Sequence, residues 1–181
     1  MEPALTVIVV SHDCRDVLLD CLDSIRASAQ DVDYAVHLVD NASSDGTVEA
    51  VRQRHPWVRL TESRENLGFA KANNLVLREA RTPYVLLLNP DTLVPDHAFD
   101  TCIAHLEAHP RAGMAGCRLV TGDGSPDLAC RRGFPTLWDG FCRASGLSAL
   151  LPRVKLFTGY NLTWMDEGEA ARVDALNGAF M

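Results

Sequence analysis

Apolar residues along this chain come in short unbroken runs, separated by stretches in which they recur every three or four positions. Leu5 to Val10 (LTVIVV) shows no polar alternation, which predicts a strand covered on both faces. Asp16 to Ser28 then places Leu18, Leu22 and Ile25 at helical spacing. A second strand is expected over Ala35 to Val39. The helix after it would start near Ser44 or Asp45, either of which can cap it. Trp57 to Leu60 reads as a short third strand, Leu67 to Ala80 as a helix with Phe69, Ala72, Val76 and Ala80 on one stripe, and Tyr84 to Leu88 as a fourth strand. Asp96 can cap a helix whose inner face is Phe99, Cys102, Ile103 and Leu106, and Gly113 to Val120 (GMAGCRLV) reads as a fifth strand. Strand and helix alternate throughout. The expectation is an α/β fold, a largely parallel central sheet with helices on both faces.

The pattern changes after Val120. Gly122, Gly124 and Pro126 mark a turn, and from Arg111 to Lys155 seven basic residues stand against three acidic ones, Asp123, Asp127 and Asp139. Phe134, Leu137, Trp138 and Phe141 form an apolar stripe at helical spacing. It is expected to pack into a core, with a subunit or membrane contact as the alternative because arginines lie beside it. Arg172 to Met181 (RVDALNGAFM) reads as a further strand without a polar tail, hence as a domain cut short. Residues 1–120 would then form one half of a domain and residues 121–181 the start of an incomplete second half. Ala175 to Met181 would be exposed, disordered, or paired with another copy of the chain as a homodimer.

Composition narrows the partners. With 181 residues, 47% of them hydrophobic, the chain can bury one full core. A formal net charge of -7 excludes non-specific nucleic-acid binding, which needs a basic surface. Six cysteines without a CxxC pair are read as free thiols, most of them buried, in a reducing compartment. No apolar run approaches the roughly 20 residues of a membrane span and the amino terminus lacks a basic start, so a cytoplasmic location is expected. The triplet Asn161-Leu162-Thr163 fits a glycosylation sequon, but such triplets arise by chance.

The chemistry concentrates at two strand tips. In VDNASSDGT (Val39 to Thr47) an apolar run delivers Asp40 and Asn41 into a loop of small polar residues. TPYVLLLNPDT (Thr82 to Thr92) repeats the arrangement, with Asp91 just past the tip. Open α/β sheets hold ligands at the carboxyl ends of their strands, so paired aspartates there suggest a phosphorylated ligand bound with a cation. The glycine fingerprint GxGxxG is absent after the first strand, where Ser11-His12-Asp13-Cys14 stands, and GxxxxGK[ST] is absent everywhere. Without a glycine cradle, a carboxylate-held divalent cation is the obvious way to neutralise a pyrophosphate. His105 and His109 lie four apart, but HLEAH lacks the glutamate of HExxH, and a helix carboxyl end accounts for both. No Ser-His-Asp or Cys-His signature is present.

Taken in order, TVIVVSHD, VDNASSDGT, ENLGFAKANN and LLLNPDT resemble the inverting nucleotide-sugar glycosyltransferases of family 2, especially their rhamnosyltransferase-like branch. The resemblance runs from Thr6 to Met181, since RRGFPT and VDALNGAFM also look like that branch. It implies a GT-A fold and a metal-assisted transfer of sugar from a dTDP- or UDP-linked donor to a glycan or lipid-linked acceptor, in cell-surface polysaccharide synthesis. The location implied is cytoplasmic, at the inner face of the membrane, with peripheral association. It also implies roles. Asp40 recognises the base, and backbone at Val10 and Ser11 lines the same pocket. Asn41 and Asp45 share that loop, each also readable as a turn residue or helix cap. Asn66 to Asn74 borders the nucleotide, with Gly68 permitting close approach. Lys71 either meets a phosphate or is an ordinary exposed lysine.

Asn89-Pro90-Asp91 stands in the place of the family's Asp-x-Asp metal motif. Asn89 substitutes an amide for the first carboxylate, and Asp91 remains a ligand for Mg²⁺ or Mn²⁺. His12 and Asp13 occupy positions where the branch often has an aromatic and an asparagine, which leaves base preference open. The family's catalytic base lies downstream of the strand ending at Met181, so no catalytic residue is assigned, and the chain is expected to bind donor without transferring it. Asp166, Glu167 and Glu169 precede that strand; they and Asp174 become candidates only if the chain alone transfers sugar. A nucleotide-sugar binding module without transferase activity is the alternative. A Rossmann-like oxidoreductase is opposed by the missing glycine fingerprint, and a nucleotidyltransferase by the lack of a glycine-rich basic loop after Val10.

Overall fold

The computed structural model describes residues 3–166 and 168–181, so Glu167 lies outside the described residues. The chain divides into two compact units. One runs up to Met114 and is completed by Gly178–Met181; the other is Ala115–Asn177.

The first unit is built on β1 (Leu5–Ser11), β2 (Tyr34–Asp40), β3 (Arg59–Glu62) and β4 (Tyr84–Leu88), in the order β3-β2-β1-β4. All neighbours are parallel, and the register sets Val10 beside Val39 and Ser11 beside Asp40. Central β1 is buried on both faces at Val7, Ile8 and Val9, which is why its sequence shows no polar alternation. Connecting segments carry α1 (Arg15–Ala27), α2 (Thr47–Arg54), α3 (Gly68–Leu77) and α4 (Ala98–Ala108). On one face Ile8 and Val39 pack against Ala72 and Val76 of α3, with Val10, Leu67, Val85 and Leu87 around them. On the other, Leu18, Leu22 and Ile25 of α1 are fully buried and the Tyr34 hydroxyl donates to the Ile25 carbonyl at 3.1 Å. Phe99 of α4 meets the Tyr34 ring edge-on at 5.3 Å and packs on Phe180 at 6.4 Å. Each large side chain so buried contributes about 1.5–3 kcal/mol. Helices on both faces of a parallel sheet are as expected.

Several local expectations give way. Gly113 to Val120 is not a strand; among the described residues only Val120 forms a bridge, to Pro126. The sheet edge it would have joined is occupied. Leu87 and Met181 exchange both backbone hydrogen bonds, Asn89 N–H donates to the Ala179 carbonyl at 3.0 Å, and Phe180 bridges Leu88 in antiparallel sense. Ala179 and Phe180 are accordingly buried, which corrects the expectation of an exposed or disordered terminal segment. The final apolar stretch is also not one strand, since β6 (Ala175–Leu176) belongs to the second unit. Asp96 does not cap α4: His97 holds that position at φ 56°, while the Asp96 carboxylate accepts from Ala29 N–H at 2.8 Å. Of the four expected inner residues of α4 only Phe99 is buried.

In the second unit β6 pairs antiparallel with β5 (Arg131–Arg132). Helix α5 (Leu137–Ala144) opens on a full capping box between Thr136 and Asp139, which satisfies two orphan N–H groups reciprocally. A four-residue helix, α6 (Leu147–Leu150), and a 3₁₀ turn at Lys155–Phe157 follow. The apolar stripe expected to enter a core is exposed instead: Phe134, Leu137, Trp138 and Phe141 all face outward. The six cysteines are free, two of them buried (Cys21 and Cys142) and four half-buried.

Candidate functional site

The order β3-β2-β1-β4 means that the chain moves outward from β1 in one direction and then returns to its other side, which creates a topological switch point between β1 and β4. Crevices at such points, beyond the carboxyl ends of the strands, are where open α/β sheets bind ligands. The strands end there in Ser11, Asp40 and the Asn89-Pro90-Asp91 turn.

Asp40 is only 2% exposed. Its Oδ2 accepts Ser43 N–H at 3.0 Å, while Oδ1 receives only a long contact of 3.5 Å from the Ser11 hydroxyl. A buried carboxylate has about four acceptor positions, so Oδ1 retains capacity for a stronger donor. Asn41 is buried beside it and spends its whole amide inside the protein. Oδ1 accepts Leu67 N–H and Nδ2 donates to Asn66 Oδ1, both at 2.8 Å, and Asn66 Oδ1 in turn accepts Gly68 N–H at 2.9 Å. Asn41 thereby ties the tip of β2 to the start of α3. Gly68 sits at φ +72°, where a side chain would be strained.

The β1–α1 and β2–α2 loops are clasped together. Asp13 N–H donates to the Ser43 hydroxyl at 3.0 Å, and Asp13 Oδ1 accepts Ser44 N–H at 2.6 Å. Asp45 Oδ2 accepts Arg15 N–H at 2.8 Å, and its Oδ1 accepts Thr47 N–H at 3.1 Å. Burial raises the Asp45 pKa, but hydrogen bonds from the Thr47 hydroxyl and the Arg15 and Thr47 backbone outweigh it and hold the carboxyl below its ordinary value. The formal N-cap of α2 is Gly46, so Asp45 caps from one residue further out and Ser44 serves the clasp. This clasp is not visible in a periodicity reading, and its only sequence trace is the density of Asp and Ser in both loops.

Asp91 is exposed at the end of the β4 turn. The Asn89 carbonyl, which accepts from the Thr92 hydroxyl at 2.8 Å and lies 3.8 Å from the Cys21 thiol, fixes that turn. Burial pushes the Cys21 thiol up to about 11, so it stays a neutral donor. Burial also raises the Cys14 thiol, and the carboxylates of Asp45, Asp91 and Asp40 push it the same way. Asp45, Asp91 and Asp40 thus lie near enough to Cys14 to act on its charge. Asp91 and the Asn89 amide are hard oxygen donors of the kind Mg²⁺ and Mn²⁺ take, so the donor set fits a divalent cation. Val10 turns its side chain into the α3 face, while Asn66 and Lys71 are exposed at the start of α3.

Asp31, His97 and Asp100 also approach closely enough to share an ion. They lie at the amino end of β2, opposite the crevice, and Asp100 is engaged by the N–H groups of Asp31 and Val32. That cluster clasps the segment before β2 to the first turn of α4.

The family model described as "Glycosyl transferase family 2" matches residues 6–160. The chain belongs to that family. A family 2 relative at 30% identity over 180 residues is the N-acetylglucosaminyl-diphospho-decaprenol L-rhamnosyltransferase of Mycobacterium tuberculosis; the alignment covers 93% of this chain and 58% of that enzyme. The chain thus spans a little over half the length of that relative. Among solved structures, the mannosyltransferase PcManGT from Pyrobaculum calidifontis, in complex with GDP-Man and Mn²⁺, superposes with a TM-score of 0.51 at 33% identity, over 67% of this chain and 36% of that one. S. aureus TarS 1-349 in complex with UDP gives a TM-score of 0.54 at 23% identity, over 70% and 39% of the two chains, and bears on the fold alone. The fold is GT-A.

Proposed function

We propose that the crevice between β1, β2 and β4 is the donor site of an inverting glycosyltransferase that uses a dTDP- or UDP-linked sugar. The observation that carries this reading is the buried, under-satisfied Asp40 carboxylate at the switch point, with Asp91 just past the end of β4. Asp40 Oδ1 accepts a ring N–H of the base, and backbone at Val10 and Ser11 lines that pocket. Asn41 acts as a positioning residue, holding Asn66 and Gly68 so that backbone at the start of α3 borders the nucleotide. Lys71, in the first turn of α3, meets the diphosphate, where the positive end of the helix also favours an anion. Asp91 and Asn89 hold Mg²⁺ or Mn²⁺, which when bound offsets the charge of the departing nucleoside diphosphate. The relative bound to GDP-Man and Mn²⁺ supports a donor and cation of this kind.

The acceptor is a glycan or a lipid-linked sugar at the cytoplasmic face of the membrane, a reading supported by the decaprenol-linked acceptor in the name of the mycobacterial relative. No helix among the described residues is long and apolar enough to cross a membrane. An acceptor role for the second unit is supported by its cleft of about 630 Å³, lined in part by Arg143, Tyr160 and Asn161. In that unit Asp174 Oδ2 accepts Phe134 N–H at 3.3 Å and Asp166 Oδ1 accepts Gly168 N–H at 2.7 Å.

Calorimetry tests the donor site. Asp40→Ala should weaken UDP or dTDP binding by roughly 1.5–3 kcal/mol, the worth of a hydrogen bond to a charged group. Unchanged affinity in a folded variant would remove Asp40 from the site.

A further inference from the structure

The clasp between the β1–α1 and β2–α2 loops reaches the buried carboxylate of the donor site. The two oxygens of Asp40 have different fates. Ser43 N–H holds Oδ2 at 3.0 Å, which fixes the plane of the carboxylate and leaves Oδ1 facing the Ser11 hydroxyl at 3.5 Å. A carboxylate accepts and cannot donate. With the residue 2% exposed, what it can recognise depends on which oxygen is offered and in what direction. Ser43 is itself set from the opposite loop. Asp13 N–H donates to the Ser43 hydroxyl at 3.0 Å, while Asp13 Oδ1 accepts the N–H of Ser44 at 2.6 Å and its hydroxyl at 3.2 Å. One residue of the β1–α1 loop thus grips two successive residues of the β2–α2 loop, and the first of these orients Asp40.

The backbone on both sides of the grip is unusual. Asp13 lies at φ 48°, and Ala42, which precedes Ser43, at φ 64°. Residues with a Cβ seldom adopt this left-handed conformation, and Asp and Asn adopt it more readily than most. The hydrogen bonds across the clasp offset that cost. Asp13 Oδ2 takes no part in the grip and has His12 Nε2 beside it at 3.8 Å. An amide in place of this carboxylate would therefore keep the bonds to Ser43 and Ser44 and change only the atom that faces His12.

We propose that Asp13 is a positioning residue for base selection: acting through Ser43, it presents Asp40 Oδ1 to the base and sets the preference for a base that carries a ring N–H on that edge. Uracil and thymine have a proton on N3, whereas cytosine has a lone pair there, which a carboxylate repels. The inference deepens the reading of Asp40 as the base-recognising group and rests on it. The test is calorimetry of the whole chain with UDP and with CDP, each in the presence of Mn²⁺. The two nucleotides share ribose, diphosphate and cation, so the ratio of their affinities isolates the base. The wild type should prefer UDP by roughly 10–100-fold, the worth of a hydrogen bond to a charged group. Asp13→Ala should lower that ratio by about tenfold. Asp13→Gly removes the grip but adopts a positive φ without strain, so it separates the clasp from the backbone and should lower the ratio as far. Asp13→Asn, which tolerates the same backbone and still accepts from Ser44, should keep the ratio within about twofold of wild type. A UDP-preferring wild type whose ratio is unchanged in Asp13→Gly would overturn the proposal and leave Asp40 in its role, since a merely structural contact weakens both nucleotides alike. A wild type that binds UDP and CDP equally would overturn it together with the reading of Asp40.

Discussion

The Asn41 bridge gives the sharpest stability test. Asn41→Ala removes two hydrogen bonds of 2.8 Å, to Leu67 N–H and to Asn66 Oδ1. The Asn66 side chain is exposed and can turn to water, so its loss costs about 0.5–1.5 kcal/mol. Leu67 N–H is part-buried and has no replacement, and leaving it unpaired costs about 1–3 kcal/mol. The sum is about 1.5–4.5 kcal/mol of global stability, a large fraction of what a domain of this size has. Urea unfolding followed by circular dichroism reads it as a lower midpoint with unchanged slope. Asn41→Asp is the discriminating companion. It still accepts from Leu67 but buries a carboxylate beside Asp40 and faces Asn66 Oδ1 with a second oxygen, so at pH 7 it should lose at least as much as Ala. Its deficit relative to wild type should narrow in acid, where a protonated carboxyl can donate. Asn41→Ala within 0.5 kcal/mol of wild type would refute the reasoning from the bridge.

Other outcomes follow from named groups. Mn²⁺ should tighten UDP binding in the wild type and do little in Asp91→Asn; an equal response by calorimetry would put the cation elsewhere. Gly133→Ala should destabilise severely, because the new Cβ would meet the Gly159 carbonyl oxygen well inside van der Waals contact, and a wild-type thermal midpoint would contradict that. His55 is fully buried with neither ring nitrogen hydrogen-bonded; burial lowers its pKa, opposed by Asp23. The unfolded chain therefore binds more protons than the folded one below about pH 6.5, so stability should be full above that value and fall as the pH drops through the lowered folded pKa. A thermal midpoint that stays flat from pH 7.5 to 5 would argue against a buried neutral imidazole.

What could be read from the sequence was local. β1, β2 and β4 were legible because a strand buried on both faces has no polar alternation, and Tyr84–Leu88 was bounded to the residue. Trp57 to Leu60 misplaced β3 by two residues, since its pairing with β2 runs from Arg59 to Glu62 and an edge strand has a weaker pattern. Asp40 and Asp91 stood out as carboxylates at strand tips. The Asn41–Asn66 bridge did not, because an asparagine in a small polar loop looks the same whether it faces water or closes a network. The failure at GMAGCRLV has the same origin. Apolar composition supplies a candidate strand, but only a free edge makes it one, and that edge is filled by residues 179–181.

That edge pairing has a consequence for how the molecule comes into being. The turn that carries Asp91 is pinned through Asn89 N–H to Ala179, a residue made long after it in synthesis. A chain emerging from its amino end can assemble β1, β2 and β3 early, since those contacts are near in sequence. The outer side of β4 must wait while the whole second unit is produced and the long loop it forms is closed, an entropic cost that grows only slowly with length but must be met before the contact rewards it. Until then β4 presents unpaired backbone to other chains, a template for misassembly. The β4 side of the crevice, with the Asp91 turn, is thus expected to be the last part of the sheet to become rigid, after the tip of β2 that carries Asp40 is set.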